Sequence, residues 1–338
     1  MKILLTGGTG YIGSHTAIEL INSGHEVEIV DNLYNSKESV LNKIETITGI
    51  KPKFHEIDLL DSDKLNRLFK DFTFDAVIHF AGYKAVAESV AKPLKYYRNN
   101  LVSTLNLLDA MQKYDVKILV FSSSATVYGD QDGVKLTEDN QTGLGITNPY
   151  GQTKYMIEQI LRDFVVANPD FAITMLRYFN PVGAHSSGLI GEDPNDIPNN
   201  LMPIIMKVST GEIPKLQVYG DDYDTPDGTG MRDFIHVVDL AKGHVAAINH
   251  MAPGITVYNL GTGKATSVME MVHAFERASG KSLPYVIAPR RPGDLAKVYA
   301  DPSKAERELS WRATLTIEDA MRDTINYLNL YSSKSSQG

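Results

Sequence analysis

A glycine-rich turn directly after the first apolar run is the feature that most restricts the fold of this 338-residue chain. Residues 3–5 form a short apolar run, and a helical pattern follows at residues 12–23. Four glycines with both G-x-x-G-x-x-G and G-x-G-x-x-G spacing lie at this junction: Gly7, Gly8, Gly10 and Gly13. A pyrophosphate can approach the backbone at such a turn, because glycine has no side chain. The same glycines are also compatible with a structural turn that binds nothing.

Short apolar runs alternate with helical patterns through the first half of the chain. The apolar runs lie at residues 27–30, 54–57, 76–80 and 118–121, and helical patterns lie at 62–69 and 101–113. Nearly continuous apolar strands separated by helices indicate a parallel sheet that is buried on both faces. The pattern therefore predicts an α/β fold with a doubly wound parallel sheet.

The pattern changes after Asn180, where prolines and glycines interrupt it. Helical patterns return only at residues 237–248 and 268–279. We therefore predict two domains. The doubly wound domain covers residues 1–179, with a returning segment near 233–250, and a smaller mixed α/β domain covers residues 180–338.

Composition excludes several classes of function. Lys and Arg total 33 against 41 for Asp and Glu, which gives a net charge of −8, so we expect no nucleic-acid partner. The chain has no cysteine, and its nine histidines show no metal-ligand spacing, so we expect no disulfide and no metal. No apolar stretch approaches the ~20 residues of a membrane span, and the chain enters a strand-like run at once. These features predict a soluble cytoplasmic protein without a membrane partner.

Polar residues follow several of the predicted strands. Asp31 ends the second run, Asp58 follows the third, and Ser122-Ser123-Ser124 follows a later one. Ligands of such sheets bind at the carboxyl edge, where these residues meet. A carboxylate at position 31 can accept hydrogen bonds from ribose hydroxyls and repels a 2′-phosphate, which favours NAD over NADP. Asp31 could instead only cap the following loop.

Tyr150 and Lys154 lie at i and i+4 in a helix that begins near Asn148-Pro149, so their side chains share one face. A tyrosine that acts as a base near neutral pH needs its pKa lowered by about three units, or about 4 kcal/mol. A nearby ammonium group and a positively charged nicotinamide both act in that direction. A pair at this spacing can also be part of an ordinary helix surface.

The motifs together resemble those of the extended short-chain dehydrogenases/reductases, and within them the enzymes that epimerise UDP-hexoses. The resemblance covers nearly the whole chain. Besides the glycine turn, the serine run and the Tyr150/Lys154 pair, it rests on these segments: His79-Phe80-Ala81-Gly82, Ala125-Thr126-Val127-Tyr128-Gly129, Arg177-Tyr178-Phe179-Asn180-Pro181-Val182-Gly183-Ala184, Pro198-Asn199-Asn200-Leu201-Met202-Pro203, Arg232-Asp233-Phe234-Ile235-His236-Val237 and Arg290-Arg291-Pro292-Gly293-Asp294-Leu295.

The resemblance implies roles for individual residues. Tyr150 matches the catalytic base, Lys154 the lysine that lowers its pKa, and Ser124 the hydroxyl at the reacting sugar. The implied NAD contacts are Gly7, Gly10, Tyr11, Ile12, Gly13, Asp31, Asn32, Leu33, Tyr34, Asn35, Ser36, Asp58, Leu59, Phe80, Ala81, Gly82, Tyr83, Lys84, Asn99, Ser124, Tyr150, Lys154 and Phe179. The implied substrate contacts are Lys84, Ser124, Tyr150, Asn180, Asn200, Leu201, Gln217, Val218, Tyr219, Arg232, Arg291, Asp294 and Val298.

The implied activity is that of an isomerase with an NAD-binding Rossmann domain and a UDP-sugar-binding domain. Tyr150 takes a proton from the sugar 4-hydroxyl while C4 is oxidised, the keto sugar turns, and re-reduction interconverts UDP-glucose and UDP-galactose. A homodimer through the helices at residues 100–112 and 150–167 is also implied. The small Val298 near the sugar's C2 substituent implies that N-acetylated UDP-sugars are accepted, unless Tyr299 occupies that position instead.

The sequence argues against two other functions. A nucleotide-sugar 4,6-dehydratase has an Asp-Glu pair after the catalytic serine or threonine, where this chain has Ala125 and Thr126. A non-enzymatic dinucleotide-sensing protein would keep the glycine turn but would need neither Tyr150 nor Lys154.

Overall fold

The computed structural model describes residues 1–193, 200–291 and 293–335, the last four as helical backbone. Of the motif residues quoted above, Pro198, Asn199 and Pro292 lie outside the described residues. The elements in chain order are β1 (Lys2–Thr6), α1 (Tyr11–Asn22), β2 (Glu26–Asp31), α2 (Val40–Thr48), β3 (Lys53–Glu56), α3 (Ser62–Asp71), β4 (Ala76–His79), α4 (Val86–Ala91), α5 (Pro93–Lys113), β5 (Ile118–Ser124), β6 (Lys135–Leu136), α6 (Pro149–Ala167), β7 (Ala172–Tyr178), β8 (Asn180–Val182), α7 (Leu201–Ser209), β9 (Leu216–Tyr219), β10 (Met231–Arg232), β11 (Phe234–His236), α8 (Val237–Asn249), β12 (Gly254–Leu260), β13 (Thr266–Ser267), α9 (Val268–Ser279), β14 (Tyr285–Ala288), β15 (Lys297–Ala300), α10 (Ser303–Leu309) and α11 (Ile317–Ser335).

A seven-stranded parallel sheet in the order β12-β7-β5-β4-β1-β2-β3 forms the centre of the molecule. Its strands are apolar on both faces: Ile3 and Leu5 pack on one side with α1 and α8, whereas Leu4 packs on the other with α3, α5 and α6. Helices therefore cover both faces, and the predicted doubly wound fold is confirmed. The chain order reverses at β1, so the glycine turn lies at the switch point where such sheets bind ligands.

Three smaller sheets lie beyond the central one. They have the strand orders β13-β10-β15-β6, β11-β8 and β14-β9. A separate apolar cluster joins α7, α9, β9 and α11. The predicted division at residue 179/180 stays a prediction. The structure shows that α8 packs against α1 and that β12 lies at the edge of the central sheet.

A buried ion pair connects α6 to the central sheet. Arg177 of β7 donates two hydrogen bonds to Glu158 of α6, with Nε–Oε1 3.0 Å and Nη2–Oε2 2.7 Å, and both side chains are inaccessible to solvent. Ser123 of β5 donates to the same carboxylate at 2.6 Å. Arg177 also donates to the Tyr128 hydroxyl, which in turn donates to Asn259 of β12. Four neighbouring elements are thus joined through one polar network.

Among the described residues, no helix is both long and apolar enough to cross a bilayer. Within that same part of the chain, no group of three His, Asp or Glu side chains is arranged to hold a metal ion.

We expect Arg177→Met to lower the free energy of unfolding by about 3–5 kcal/mol, because it leaves the Glu158 carboxylate buried without its partner. The double variant Glu158→Met/Arg177→Met should lose much less, since no charge stays buried. Urea unfolding measures both. Arg277→Met is the matched control at an exposed pair, where Nη2 lies 3.6 Å from Glu318, and it should change stability by less than about 0.5 kcal/mol. Equal losses in the single and double variants would contradict the prediction.

Candidate active site

The glycine turn brings bare backbone to the carboxyl edge of the sheet. Gly7 has φ +69°, and a Cβ there would lie 2.8 Å from the backbone nitrogen of Ala81. A Cβ on Gly13 would lie 2.8 Å from Cα of Gly8 and even closer to the Gly7 carbonyl oxygen. A side chain on Gly7 would therefore push the turn away from the segment after β4, and one on Gly13 would separate α1 from the turn. The first amide groups of α1 point into the space above it, and this is the arrangement that a dinucleotide pyrophosphate requires.

Asp31 ends β2 beside this turn. Its Oδ2 accepts from the Thr9 amide at 3.2 Å, and its Oδ1 accepts from the Leu33 amide at 2.9 Å and from the Ser36 hydroxyl at 3.3 Å. The carboxylate therefore does cap the following loop, as the alternative interpretation of the sequence held. It is also half-buried at the position where ribose hydroxyls meet an acidic group in dinucleotide-binding folds. The two roles are compatible, because a carboxylate offers about four acceptor sites.

The ends of β3 and β4 supply the next predicted cofactor residues. The Asp58 carboxylate accepts from Asn32 at 3.0 Å and from the Leu60 amide at 2.9 Å. The Phe80 ring packs 4.8 Å from the His244 ring, and Lys84 pairs with Glu192 at 3.1 Å. The Asn32–Asp58 contact joins the loops after β2 and β3, whereas the other two contacts join the segment after β4 to α8 and to Glu192.

Asn100 was not identified from the sequence, although its neighbour Asn99 was. It is buried in α5, where its Oδ1 accepts from the Tyr83 amide at 2.8 Å and its Nδ2 donates to the Tyr83 carbonyl at 3.1 Å. It also donates to Thr153 of α6 at 3.0 Å. Asn100 therefore fixes the loop after β4 relative to the helix that carries Tyr150. An Asn-Asn pair in a helix gives no sequence signal as to which member faces inward.

The three predicted catalytic residues lie on β5 and α6. Ser124 is the last residue of β5, and its hydroxyl accepts from the Thr126 amide at 3.2 Å and the Thr126 hydroxyl at 3.0 Å. Pro149 begins α6, and the Asn148 side chain caps it by accepting from the Gly151 amide at 2.8 Å. The cap fixes the helix start, so Tyr150 lies in the first turn.

Lys154 lies one turn further along α6. Its Nζ donates to the Ser122 carbonyl at 2.6 Å and lies 6.0 Å from the centre of the Tyr150 ring. Burial lowers the pKa of Lys154 to about 7, and the Glu158 carboxylate acts in the opposite direction. Burial raises the pKa of Tyr150, and an interaction with Ser124 acts in the opposite direction.

These directions differ from the expectation that Lys154 lowers the pKa of Tyr150. In the protein alone, burial outweighs any such effect, because Lys154 itself loses hydration and its ammonium group turns towards Ser122. A further positive charge in the cleft would lower the pKa of Tyr150. An oxidised nicotinamide has that charge, so the residues present fit the dinucleotide that the glycine turn and Asp31 indicate.

Two arginines, Arg232 and Arg291, share the carboxylate of Asp294. Arg232 Nη2 lies 2.6 Å from Asp294 Oδ1, and Arg291 Nη2 lies 3.0 Å from Asp294 Oδ2. The Arg291 guanidinium also stacks 4.7 Å from the centre of the Tyr219 ring. The cluster has a net charge of +1, and Arg291 is more than half exposed. An anionic ligand can therefore take the place of the Asp294 carboxylate and bind the two arginines.

Of the remaining predicted substrate residues, Asn180 and Asn200 have polar partners and Val218 is buried. Asn180 donates to the Asp233 carbonyl at 3.2 Å, and Asn200 donates to Glu192 at 3.0 Å just before Leu201 begins α7. Val218 of β9 is 1% exposed, with its side chain in an apolar cluster. Only the backbone of Val218 is therefore available to a ligand.

Val298 lies on β15 in register with Arg232 of the parallel strand β10. Residues in register on parallel strands point to the same face, so Val298 shares the face of Arg232. Its side chain packs in a cluster with Phe179 and Ala125, directly after Ser124. Tyr299 points to the other face and lies beneath the ammonium group of Lys297, 4.7 Å from it. This geometry favours Val298 over Tyr299 as the residue nearest the predicted sugar position.

Comparisons with known proteins identify the family of this chain. The model of the NAD dependent epimerase/dehydratase family matches residues 3–261. The chain is 57% identical to UDP-glucose 4-epimerase of Bacillus subtilis (strain 168) over 326 residues, which is 96% of each chain. It is 55% identical to the Haemophilus influenzae enzyme of the same name over 97% of each. Among solved structures, UDP-glucose 4-epimerase from Bifidobacterium longum in complex with NAD+ and UDP superposes with a TM-score of 0.95 at 56% identity, covering 98% of this chain and 99% of that one.

The low pKa of Lys154 gives a pH-dependent stability that can be tested. Between about pH 7 and the ordinary lysine value of about 10.4, the unfolded chain holds a proton that the folded chain has released. The contribution of Lys154 to the free energy of unfolding therefore rises with pH in this window. We expect Lys154→Met to be more stable than the unmodified protein by about 1–3 kcal/mol near pH 7, and this difference should shrink towards pH ~10.

Urea unfolding at several pH values measures the difference. Lys281→Met removes an exposed lysine and is the matched control. Parallel pH curves for Lys154→Met and the unmodified protein would contradict the assigned titration.

Proposed function

Because the chain belongs to the NAD dependent epimerase/dehydratase family, we propose that it is an isomerase that interconverts UDP-glucose and UDP-galactose with NAD as its cofactor. The observation that carries this proposal is the position of Ser124, Tyr150 and Lys154. All three lie at the same sheet edge as the glycine turn. The pair Arg232 and Arg291 suits the diphosphate of a nucleotide sugar.

Tyr150 is the proposed acid/base. The glycine turn and Asp31 would hold NAD, which would supply the acceptor and the later donor of the C4 hydride. Tyr150 takes the proton of the 4-hydroxyl as the C4–H bond breaks, which leaves a 4-keto sugar. It returns this proton when the hydride is added to the opposite face, so the cycle is redox-neutral and only C4 is inverted. Ser124 lies beside Tyr150 and hydrogen-bonds the reacting oxygen.

Lys154 and the arginines have separate tasks in this scheme. Lys154 bears a positive charge beside the ionised tyrosine, and Glu158 favours its protonated form. Arg232 and Arg291 hold the diphosphate, so the UDP stays fixed while the keto sugar turns. This separation of tasks agrees with the positions of the residues, because the arginines lie on β10 and after β14, whereas Lys154 lies on α6.

We also propose an assembly and a location. The outer side of α5 exposes Leu94 (73%), Val102 (37%) and Leu105 (43%), and Val166 at the end of α6 is 84% exposed. A homodimer through α5 and α6 would cover these apolar side chains. A cytoplasmic location is consistent with a chain that has no cysteine for stabilisation by disulfides.

We expect the purified protein to convert UDP-galactose into UDP-glucose without any added reductant, as measured by a coupled assay for UDP-glucose. Tyr150→Phe should lose about 10²- to 10⁴-fold in turnover, because it removes only the group that accepts the proton. It should keep its fold and its nucleotide. Formation of a 4-keto-6-deoxy sugar would indicate a dehydratase, and nucleotide binding without turnover would indicate a sensing protein. Near-normal turnover by Tyr150→Phe would remove Tyr150 from its role.

The position of Val298 supports a further proposal, that the enzyme also interconverts UDP-N-acetylglucosamine and UDP-N-acetylgalactosamine. A valine leaves space for an acetamido group at C2, whereas a fixed aromatic ring would overlap it. We expect Val298→Tyr to lower turnover of the N-acetylated sugars by about 100-fold or more and to change that of UDP-galactose by less than about threefold.

Tyr299→Ala is the control for the alternative register and should leave the ratio of the two activities unchanged. If the unmodified enzyme does not turn over UDP-N-acetylglucosamine, the assignment of Val298 is wrong.

A further inference from the structure

Two tyrosines from separate loops meet across the glycine turn. Tyr34 follows β2 and Tyr83 follows β4, and their ring centres lie 4.7 Å apart. Strands β2 and β4 are not neighbours, because β1 lies between them and ends in the glycine turn. Neighbouring strands are about 4.8 Å apart, so the two loops start about 10 Å from each other. Their contact therefore closes one side of the space above the turn.

Lys95, in the first turn of α5, joins the two rings. Its Nζ lies 5.0 Å from the centre of the Tyr34 ring and 4.7 Å from that of Tyr83, and it donates to the Tyr34 hydroxyl at 2.8 Å. It also pairs with Glu88 at 2.7 Å, which accepts from the fully buried Tyr96 at 3.0 Å. The ring pair is thus attached to the body of the protein through one cation.

The backbones that present the two rings are also held. Asn100 accepts from the Tyr83 amide and donates to the Tyr83 carbonyl. On the other side, Leu33 has a left-handed φ of +57°, and the Tyr34 amide donates to Asn32 at 3.1 Å. Tyr34 nevertheless remains 43% exposed, so its ring does not serve to fill the core. An exposed ring on a fixed backbone, paired with a second ring and a cation, is suited to covering a ligand.

We propose that Tyr34, Tyr83 and Lys95 form a clasp that slows the release of NAD from the cleft. The inference rests on the proposed function, because a redox-neutral cycle returns its hydride and needs no exchange of the cofactor. The clasp lies beside Asp31 and Asp58, at the adenosine end of the predicted cofactor site. The cofactor leaves only when the ring pair separates and Lys95 loses its contact with Tyr34. Lys95 has no other predicted role, and it sets how often the ring pair separates.

The experiment measures exchange of the bound cofactor and not activity. Enzyme loaded with radiolabelled NAD is mixed with excess unlabelled NAD, and the label that remains bound is followed over time. We expect Tyr34→Ala, Tyr83→Ala and Lys95→Met to exchange on the order of tenfold faster, as expected for loss of an aromatic pair with an exposed cation–π contact. Tyr83→Phe keeps its ring and should exchange at the unmodified rate.

The Tyr34→Ala/Tyr83→Ala double variant should exchange no faster than either single variant, because each one already breaks the pair. Tyr285→Ala is the matched control, since Tyr285 is 45% exposed on β14, which pairs with β9 and is not part of the sheet that carries the glycine turn. Lys95→Met and Tyr83→Phe leave both rings in place, so they test the clasp even if an alanine variant fails to fold.

The outcomes separate the clasp from the proposed function. If the denatured unmodified enzyme releases no NAD(H), or mainly NADP(H), the proposed cofactor is wrong. If it releases NAD(H), and if folded Lys95→Met and both alanine variants exchange at the unmodified rate, the clasp is wrong. Faster exchange in Tyr285→Ala as well would show that any loss of a surface tyrosine suffices, and this would also overturn the clasp.

Discussion

The buried pair of Glu158 and Arg177 is the interaction on which the geometry of the candidate site depends. Burying two charges is costly, and the attraction between them offsets that cost only when the remaining hydrogen-bonding groups are also paired. Here they are paired, because Ser123 and Tyr128 complete the network. The pair thus gives α6 one position along β5 and β7. A helix held only by apolar contacts could slide or rotate by part of a turn at little cost.

The position of α6 also determines which groups Lys154 contacts, one turn before Glu158. Lys154 reaches the Ser122 carbonyl, and Glu158 reaches the Ser123 hydroxyl, so two neighbouring residues of β5 receive two side chains of the helix. The same carboxylate that fixes the helix also favours the charged form of Lys154. Position and electrostatics therefore depend on the same residue. Burial raises the pKa of Tyr150, and a further positive charge in the cleft would act in the opposite direction.

Local patterns were sufficient to predict the central fold. The alternation of apolar strands and helices gave the doubly wound sheet, and the glycine spacing gave the turn after β1, because both depend on residues close in sequence. Strands β7 and β12 were not predicted, although they pair along seven residues. Their register joins segments far apart in the chain, and no local period indicates such a partner.

The same limit applied within the site. Tyr150, Lys154 and Ser124 were identified through spacing and resemblance, whereas Asn100 was not, because its value lies in contacts with Tyr83 and Thr153. The pKa direction of Tyr150 could not be predicted either. It depends on how completely the ring is buried and where the Lys154 ammonium group points, and both are properties of the folded chain.

The placement of β12 has a consequence for how the chain folds. Gly254 pairs with Ala172, a separation of 254 − 172 = 82 residues, and strands β8 to β11 of the smaller sheets lie in the intervening chain. During synthesis, β7 therefore has an unpaired edge until residue 260 has left the ribosome. An apolar edge strand without a partner is a site of association with other chains, and a parallel pair with so long a loop closes slowly. The interval between the appearance of β7 and that of β12 is thus the period in which the nascent chain most needs protection from aggregation.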